Sequence, residues 1–350
     1  MKLLIITQKI DKNDDVLGFM HGWIEEFAKH CDEVIAVGLF VGAYDFPSNV
    51  RVYSLGKEDG VSRIKYLWNF FLIIWSERKN YDAVFVHMNQ VYVLLGGLIW
   101  KLMGKKIALW YAHGYVPFSL RVALFFTDAV FTSTRSGFRI SSKKVNIVGQ
   151  GIDTDRFSLI GHDKVADEPF TIIIVGRISP VKDYETLLRA AALVAVSGEE
   201  IRVIVVGGAG LAPQEAYLAE LHELTKELGI DNIVYFTGAI PNSEIGKLLA
   251  SSHVFVNTSN TGSFDKAVGE AMASGLPVLT SNEAFREVFG SMASEFMFFA
   301  GDHEALAKKI QIMIAKTNPD REELGKTLRG IILARHSLEM FVGRILSRHT

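Results

Sequence analysis

Apolar positions along this chain fall into short β-rich runs separated by longer segments with helical spacing. The runs lie at residues 3–7, 33–37, 52–54, 83–87, 106–111, 129–132 and 145–148. A polar, proline-containing stretch at residues 157–169 interrupts the pattern. It restarts with runs at residues 171–175, 202–206, 233–236, 254–257, 278–280 and 296–299. Continuous apolar strands alternating with helices predict parallel sheets covered by helices on both faces. Two tandem doubly wound α/β domains of similar size, joined near residue 160, follow from the restart. Ligands of such sheets bind at the carboxyl ends of the strands, so the cleft between the domains is the expected site.

Helix 19–30 of the first half places Met20, Trp23 and Phe27 at helical spacing, which core packing explains. Gly18 precedes it and fits either a close backbone approach to a ligand or a simple turn. Residues 63–79, RIKYLWNFFLIIWSERK, and 91–106, VYVLLGGLIWKLMGKK, are apolar, aromatic and bracketed by cations. They read first as two helices buried on the sheet. The alternative is an interfacial surface with Trp68, Trp75 and Trp100 at headgroup depth and lysines on anionic lipid. Charge bears on that choice. Net charge is −2, yet Lys57 to Lys144 hold 13 Lys/Arg against 5 Asp/Glu. No apolar run reaches the roughly 20 residues that span a bilayer, and no nucleic-acid motif accompanies the basic half.

The second half carries the candidate chemistry. In residues 173–189, IIVGRISPVKDYETLLR, a strand delivers Gly176 and Arg177, a loop with Pro180, and Lys182 at a helix start. Two cations and free helix N–H groups converge there, and their natural guest is a phosphate or diphosphate. Positive charge at a helix start is otherwise unfavourable. Neither a Walker loop nor G-x-G-x-x-G is present. The next strand ends in Gly207-Gly208-Ala209-Gly210, where a flat ring could approach the backbone, or where a plain turn sits. Residues 257–280, NTSNTGSFDKAVGEAMASGLPVLT, read as strand end, polar turn, helix from about 264 to 274, and strand. Glu270 on that helix is either an outward solvated charge or an acceptor for a ligand's hydroxyls. His113 follows a strand's carboxyl end in WYAHGYVP, a position that suits a ligand contact, although a lone histidine is more often structural.

Length and composition are those of a globular chain. The 350 residues suffice for two cores, with 49% apolar and 22% charged residues. Cys31 is the single cysteine, so no internal disulfide or Cys-rich zinc cluster forms, which suits a reducing cytosol. The first residues turn charged after a short apolar run and predict a strand in place of a signal peptide.

Together these segments resemble the retaining glycosyltransferases of the GT-B fold, specifically glycosyltransferase family 4, over nearly the whole chain. The resemblance rests on GQGIDTDRF, VGRISPVKDYETLL, VYFTGAIPNSEI, TGSFDKAVGEAMASGLPVL and the C-terminal HSLEMFVGRIL. It implies two Rossmann-like domains facing a central cleft: residues 1–160 on the acceptor side, residues 161–336 holding the nucleotide sugar, and a last helix, 337–350, crossing back. It implies that Arg177 and Lys182, after Gly176, neutralise the donor diphosphate. Glu270 then holds the ribose hydroxyls, and His113 lies near the reaction centre. Gly18 approaches donor and acceptor, while Gly208, Ala239 and Ile240 border the nucleobase. Ser263, Phe264, Asp265 and Lys266 complete the donor site. One position departs from the pattern, because the family's first glutamate, eight residues before the second, is here Gly262. Either Asp265 or Lys266 then substitutes for it, or the donor sugar is recognised differently. The implied reaction is metal-independent retaining transfer, needing no cofactor, from a UDP-sugar ahead of a GDP-sugar to a lipid-linked or cell-surface glycan acceptor. The single cysteine, the basic aromatic first half and the lack of a nucleic-acid motif give the expectation of a cytoplasmic location with peripheral contact on anionic membrane and no nucleic-acid partner. An epimerase on the same fold, a glycogen-synthase-like polymerase and a catalytically silent nucleotide-sugar binder are the alternatives.

Overall fold

The computed structural model describes residues 1–158 and 169–348. The joint expected at residue 160 lies outside the described residues. Contacts divide the chain into one unit of Met1–Gly151 with Ser337–Thr350, and a second of Ile152–His336.

The first unit runs β1 (Lys2–Ile10), α1 (Phe19–His30), β2 (Glu33–Val41), β3 (Val50–Ser54), α2 (Arg63–Ser76), β4 (Ala83–His87), α3 (Val91–Leu102), β5 (Lys106–Trp110), α4 (Phe118–Phe126), β6 (Ala129–Thr132) and β7 (Val145–Ile147). Its seven strands are all parallel in the order β3-β2-β1-β4-β5-β6-β7. Period-2 alternation explains its two cores: Leu3 and Ile5 point to one face with Trp23 and Phe27 of α1. Leu4 and Ile6 point to the other, with Phe70, Trp100 and Leu120 from α2, α3 and α4. Trp100 therefore has no exposed face, and its indole donates to the Tyr81 hydroxyl at 3.2 Å. Of the three tryptophans that the interfacial alternative puts at a surface, Trp68 (60% exposed) and Trp75 (57%) are there. Trp100 is not, because its side of α3 faces the sheet.

The second unit runs β8 (Phe170–Val175), α5 (Tyr184–Val196), β9 (Ile201–Val206), α6 (Ala212–Glu227), β10 (Val234–Gly238), α7 (Asn242–Ala250), β11 (Val254–Asn257), α8 (Lys266–Ala273), β12 (Val278–Thr280), α9 (Ala284–Phe289), α10 (Ala293–Phe296), α11 (His303–Ala315) and α12 (Asn318–Arg335). Its parallel strands order as β10-β9-β8-β11-β12. The strand expected at residues 296–299 does not form. Phe296 closes α10, and Met297 makes one isolated parallel bridge to Thr280. Phe296, Met297 and Phe298 are buried in the core, so their apolar run reflects burial without sheet pairing.

Residues 152–157 belong to this second unit. Ile152 and Phe157 enter its core, and the Arg329 guanidinium donates to the carbonyls of Phe157 (2.6 Å), Thr154 (3.2 Å) and Ala273. The chain then returns. Helix α13 (Leu338–Leu346) buries Leu338, Phe341, Val342 and Ile345 in the first unit. Phe341 lies 4.2 Å from Trp23 and 5.0 Å from Trp110 between ring centroids.

Candidate active site

Strand order reverses in the second unit at β8, which has β9 on one side and β11 on the other. Loops at the carboxyl ends of such strands form the binding crevice of doubly wound sheets. Here five of them are tied together. The loop after β8 meets the loop after β9 through Gly176 N–H to Val206 O (2.9 Å) and Ile178 N–H to Gly208 O (3.2 Å). Gly207 must be glycine, since a β-carbon there would come within 1.8 Å of the Gly176 carbonyl oxygen. Its N–H donates to Gly238 O at the end of β10 (3.0 Å), and Gly208 lies against Ala239. Ala239 is exposed beside Gly208, with half-buried Ile240 next in the chain.

The same loop reaches the other side of the sheet. Lys182 occupies a 3₁₀ turn, Pro180–Lys182, and its aliphatic stem crosses Gly176, where a β-carbon would contact Cε at 3.1 Å. Its Nζ lies 2.5 Å from Asp265 Oδ2, and its carbonyl accepts from the Thr258 hydroxyl at 2.6 Å. Asp183 follows with φ +48°, its carboxylate accepting from Thr186 at 2.7 Å. Arg177 is exposed and makes no ion pair among the described residues. The Tyr184 hydroxyl donates to the carbonyls of Gly176 (2.6 Å) and Arg177 (3.3 Å). Burial, reinforced by the negative charge of Asp265, pushes that phenol up, so it remains a donor at neutral pH.

Asp265 is the N-cap of α8. Its Oδ1 accepts from Ala267 N–H (3.3 Å) and its Oδ2 from Lys182 and from Asn257 Nδ2 (3.0 Å). Asn257 in turn accepts from the Thr280 hydroxyl (2.9 Å), and Asn282 donates to the Ser263 carbonyl (2.8 Å). Phe264 is buried, 4.7 Å from both Phe285 and His336 between centroids. One turn on, Lys266 Nζ holds Glu270 Oε1 at 2.5 Å. Glu270 is 4% exposed, so the solvated reading of its charge does not apply. Gly262 has φ +67°, a backbone that favours glycine over any carboxylate-bearing residue.

The structure thus brings Gly176, Lys182 and Asp265 into contact, joins Gly208 to Ala239, and pairs Lys266 with Glu270. Gly18 and His113 belong to the first unit. Gly18 is the N-cap of α1, where a β-carbon would lie 2.4 Å from the Asp14 carbonyl oxygen. His113 is exposed just past β5, its Nδ1 accepting from Tyr115 N–H at 2.9 Å. Sequence reasoning did not single out Tyr184, Asn257, Thr258, Thr280 or Asn282. Polar residues closing apolar strands were the available signal for Asn257 and Thr280. It also missed His87, which ends β4 beside β1 and shares a 3.1 Å hydrogen bond with Thr7. Burial pushes that imidazole down to about 3, so it is neutral at pH 7.

Two doubly wound parallel sheets in tandem are the fold of GT-B glycosyltransferases. A family model described as glycosyl transferases group 1 matches residues 156–330, half of the chain, and the chain belongs to that family. It is 34% identical over 149 residues to D-inositol 3-phosphate glycosyltransferase 2 of Catenulispora acidiphila, covering 39% of this chain and 34% of that protein. It is 26% identical over 167 residues to alpha-monoglucosyldiacylglycerol synthase of Streptococcus pneumoniae, covering 47% and 36%. The chain spans about a third of the length of these relatives. Among solved structures it is similar to Anabaena HepE crystallised with UDP and glucose, with a TM-score of 0.75 and 18% identity over 99% of this chain and 98% of that one.

Proposed function

We propose that this protein is a retaining glycosyltransferase that moves a sugar from a UDP-sugar to an acceptor hydroxyl without a metal. The observation that carries the reading is the meeting of strand-end loops at Gly176 and Lys182, which contact Gly207, Thr258 and Asp265, with exposed Arg177 on the same loop. The chemical problem is a leaving diphosphate and an oxocarbenium-like sugar. Arg177 and Lys182 supply preorganised positive potential at the leaving group. Gly207, Gly208 and Ala239 offer a side-chain-poor wall to the nucleobase, and Glu270 offers a carboxylate to the ribose. Transfer on the front face of the sugar lets the donor phosphate accept the acceptor's proton, so no protein nucleophile is required. Uridine is favoured over guanosine as the nucleoside by the relative solved with UDP. The acceptor is a lipid-linked or cell-surface glycan precursor presented at a membrane.

Arg177→Ala and Lys182→Ala each remove one cation from the leaving group. By analogy with single oxyanion-hole donors, each costs roughly 2.7–4 kcal/mol of transition-state stabilisation, about 100- to 1,000-fold in kcat. UDP release is measured after a mass-spectrometric and thermal-shift screen of nucleotide sugars has named the donor. Undiminished turnover in both variants would remove the assignment. A catalytically silent nucleotide-sugar binder is the second reading, favoured by Gly262 and by the commitment of Asp265 to Lys182. Donor binding with neither transfer nor slow hydrolysis is its signature.

A further inference from the structure

Helices α2, α3 and α4 lie side by side over one face of the first unit's sheet. Phe70 of α2 stacks on Tyr92 of α3 at 5.7 Å between centroids, and Phe126 of α4 packs on Gly97 of α3, where a β-carbon would come within 2.8 Å. Their inward residues supply one core. The opposite side of an amphipathic helix is normally polar. On α2 it is not. Ile64, Trp68, Leu72 and Trp75, spaced by four, four and three residues, form an exposed stripe turned away from buried Phe70 and Ile74. On α3, Leu98 and Leu102 are exposed in the same way, and on α4, Phe118 (80%) and Phe125 (81%).

The charge on this face has one sign. The three helices contain no Asp or Glu at all, and they carry Arg63, Lys65, Lys101 and Arg121. Lys101 is paired with Asp128 at 2.5 Å. Arg63, Lys65 and Arg121 are exposed and make no ion pair among the described residues, as does Lys79 just past α2. Exposed apolar patches of this extent mark interaction sites. Large aromatic rings and aliphatic side chains with interspersed cations, and no anion across three helices, match an anionic lipid surface: rings enter the headgroup boundary while cations meet phosphates. No helix among the described residues is long and apolar enough to cross a membrane, so contact through this face is interfacial.

We propose that the outward face of α2, α3 and α4 docks on an anionic bilayer, with Trp68, Trp75, Phe118 and Phe125 inserted at headgroup depth and Arg63, Lys65, Lys79 and Arg121 against lipid phosphates. This rests on the membrane-proximal acceptor in the functional reading and on none of its donor chemistry. The test is cosedimentation of the full chain with vesicles of equal parts phosphatidylcholine and phosphatidylglycerol, against vesicles of phosphatidylcholine alone. Binding to the anionic vesicles only is expected, with a blue shift of tryptophan emission. Near 1 M salt, where the screening length is about 3 Å, binding weakens sharply. Trp68→Ser with Trp75→Ser lowers the partition coefficient roughly tenfold or more, and Phe118→Ser with Phe125→Ser does likewise. Arg63→Gln and Arg121→Gln each lower it about fivefold. These side chains are exposed, so melting midpoints stay unchanged. Equal binding to neutral vesicles, or partitioning insensitive to all four changes, would overturn the proposal. So would a stable dimer that Trp68→Ser dissociates, since the face would then be covered by a second copy. Vesicle binding without UDP release supports this face and removes the transferase reading; UDP release without vesicle binding does the reverse.

Discussion

Asp265 commits its carboxylate to protein partners. One oxygen caps α8, and the other holds the Lys182 ammonium and the Asn257 amide. In the proposed reading an arriving diphosphate meets a lysine already fixed in place, beside a negative charge that opposes its binding. Asp265→Asn is expected to lower kcat about tenfold or more by releasing Lys182, while the donor KM falls or holds because the repulsion is gone. A raised KM with unchanged kcat would make Asp265 a sugar contact and not a positioning residue. Arg177 and Lys182 stood out in the sequence because positive charge at a helix start needs a reason, whereas the residues around Glu270 left it between a solvated charge and a ligand contact. The network that holds them was not legible there. Asn257 and Thr280, or Lys182 and Asp265, meet only once strands far apart in the chain pair side by side. Burial of Glu270 with Lys266 as its partner likewise depends on what packs over α8.

At the scale of elements, most strands could be placed by their apolar runs, since parallel strands buried on both faces have little polar interruption. Residues 296–299 share that composition and are core residues after a short helix, so composition alone could not separate the two cases. Trp100 fails the same way: nothing local says which side of α3 meets the sheet. Glycine runs are ambiguous as sequence and decisive as structure. The loops after β8 and β9 touch backbone to backbone at Gly176 and Gly207, leaving no room for a methyl group. Gly207→Ala must push the Gly176 carbonyl away and with it the hydrogen bond from Tyr184. A cost of about 1–3 kcal/mol is expected, a drop of roughly 2–12 °C in melting midpoint, together with weaker UDP binding by calorimetry. An intact melting curve with unchanged UDP affinity would show that these loops adjust independently.

At the scale of the molecule, the first unit is built from two separate pieces of chain. Burying Leu338, Phe341, Val342 and Ile345 of α13 contributes about 1.5–3 kcal/mol per side chain, a sum comparable to the whole stability of a domain. All five tryptophans lie at positions 23, 68, 75, 100 and 110, so their fluorescence reports on this unit alone. Ending the chain at His336 is expected to abolish native tryptophan emission while the circular dichroism of the second unit's helices persists. Retained native emission would show that α13 is dispensable. The discontinuity also orders events during synthesis. Trp23 and Trp110 leave the ribosome long before Phe341, the ring that covers them, and at about 5–20 residues per second the interval from Gly151 is roughly 10–40 s. Over that time the second unit is still being made, its last residue, His336, only five positions ahead of Phe341, while the older first unit keeps an aromatic seam open until α13 arrives.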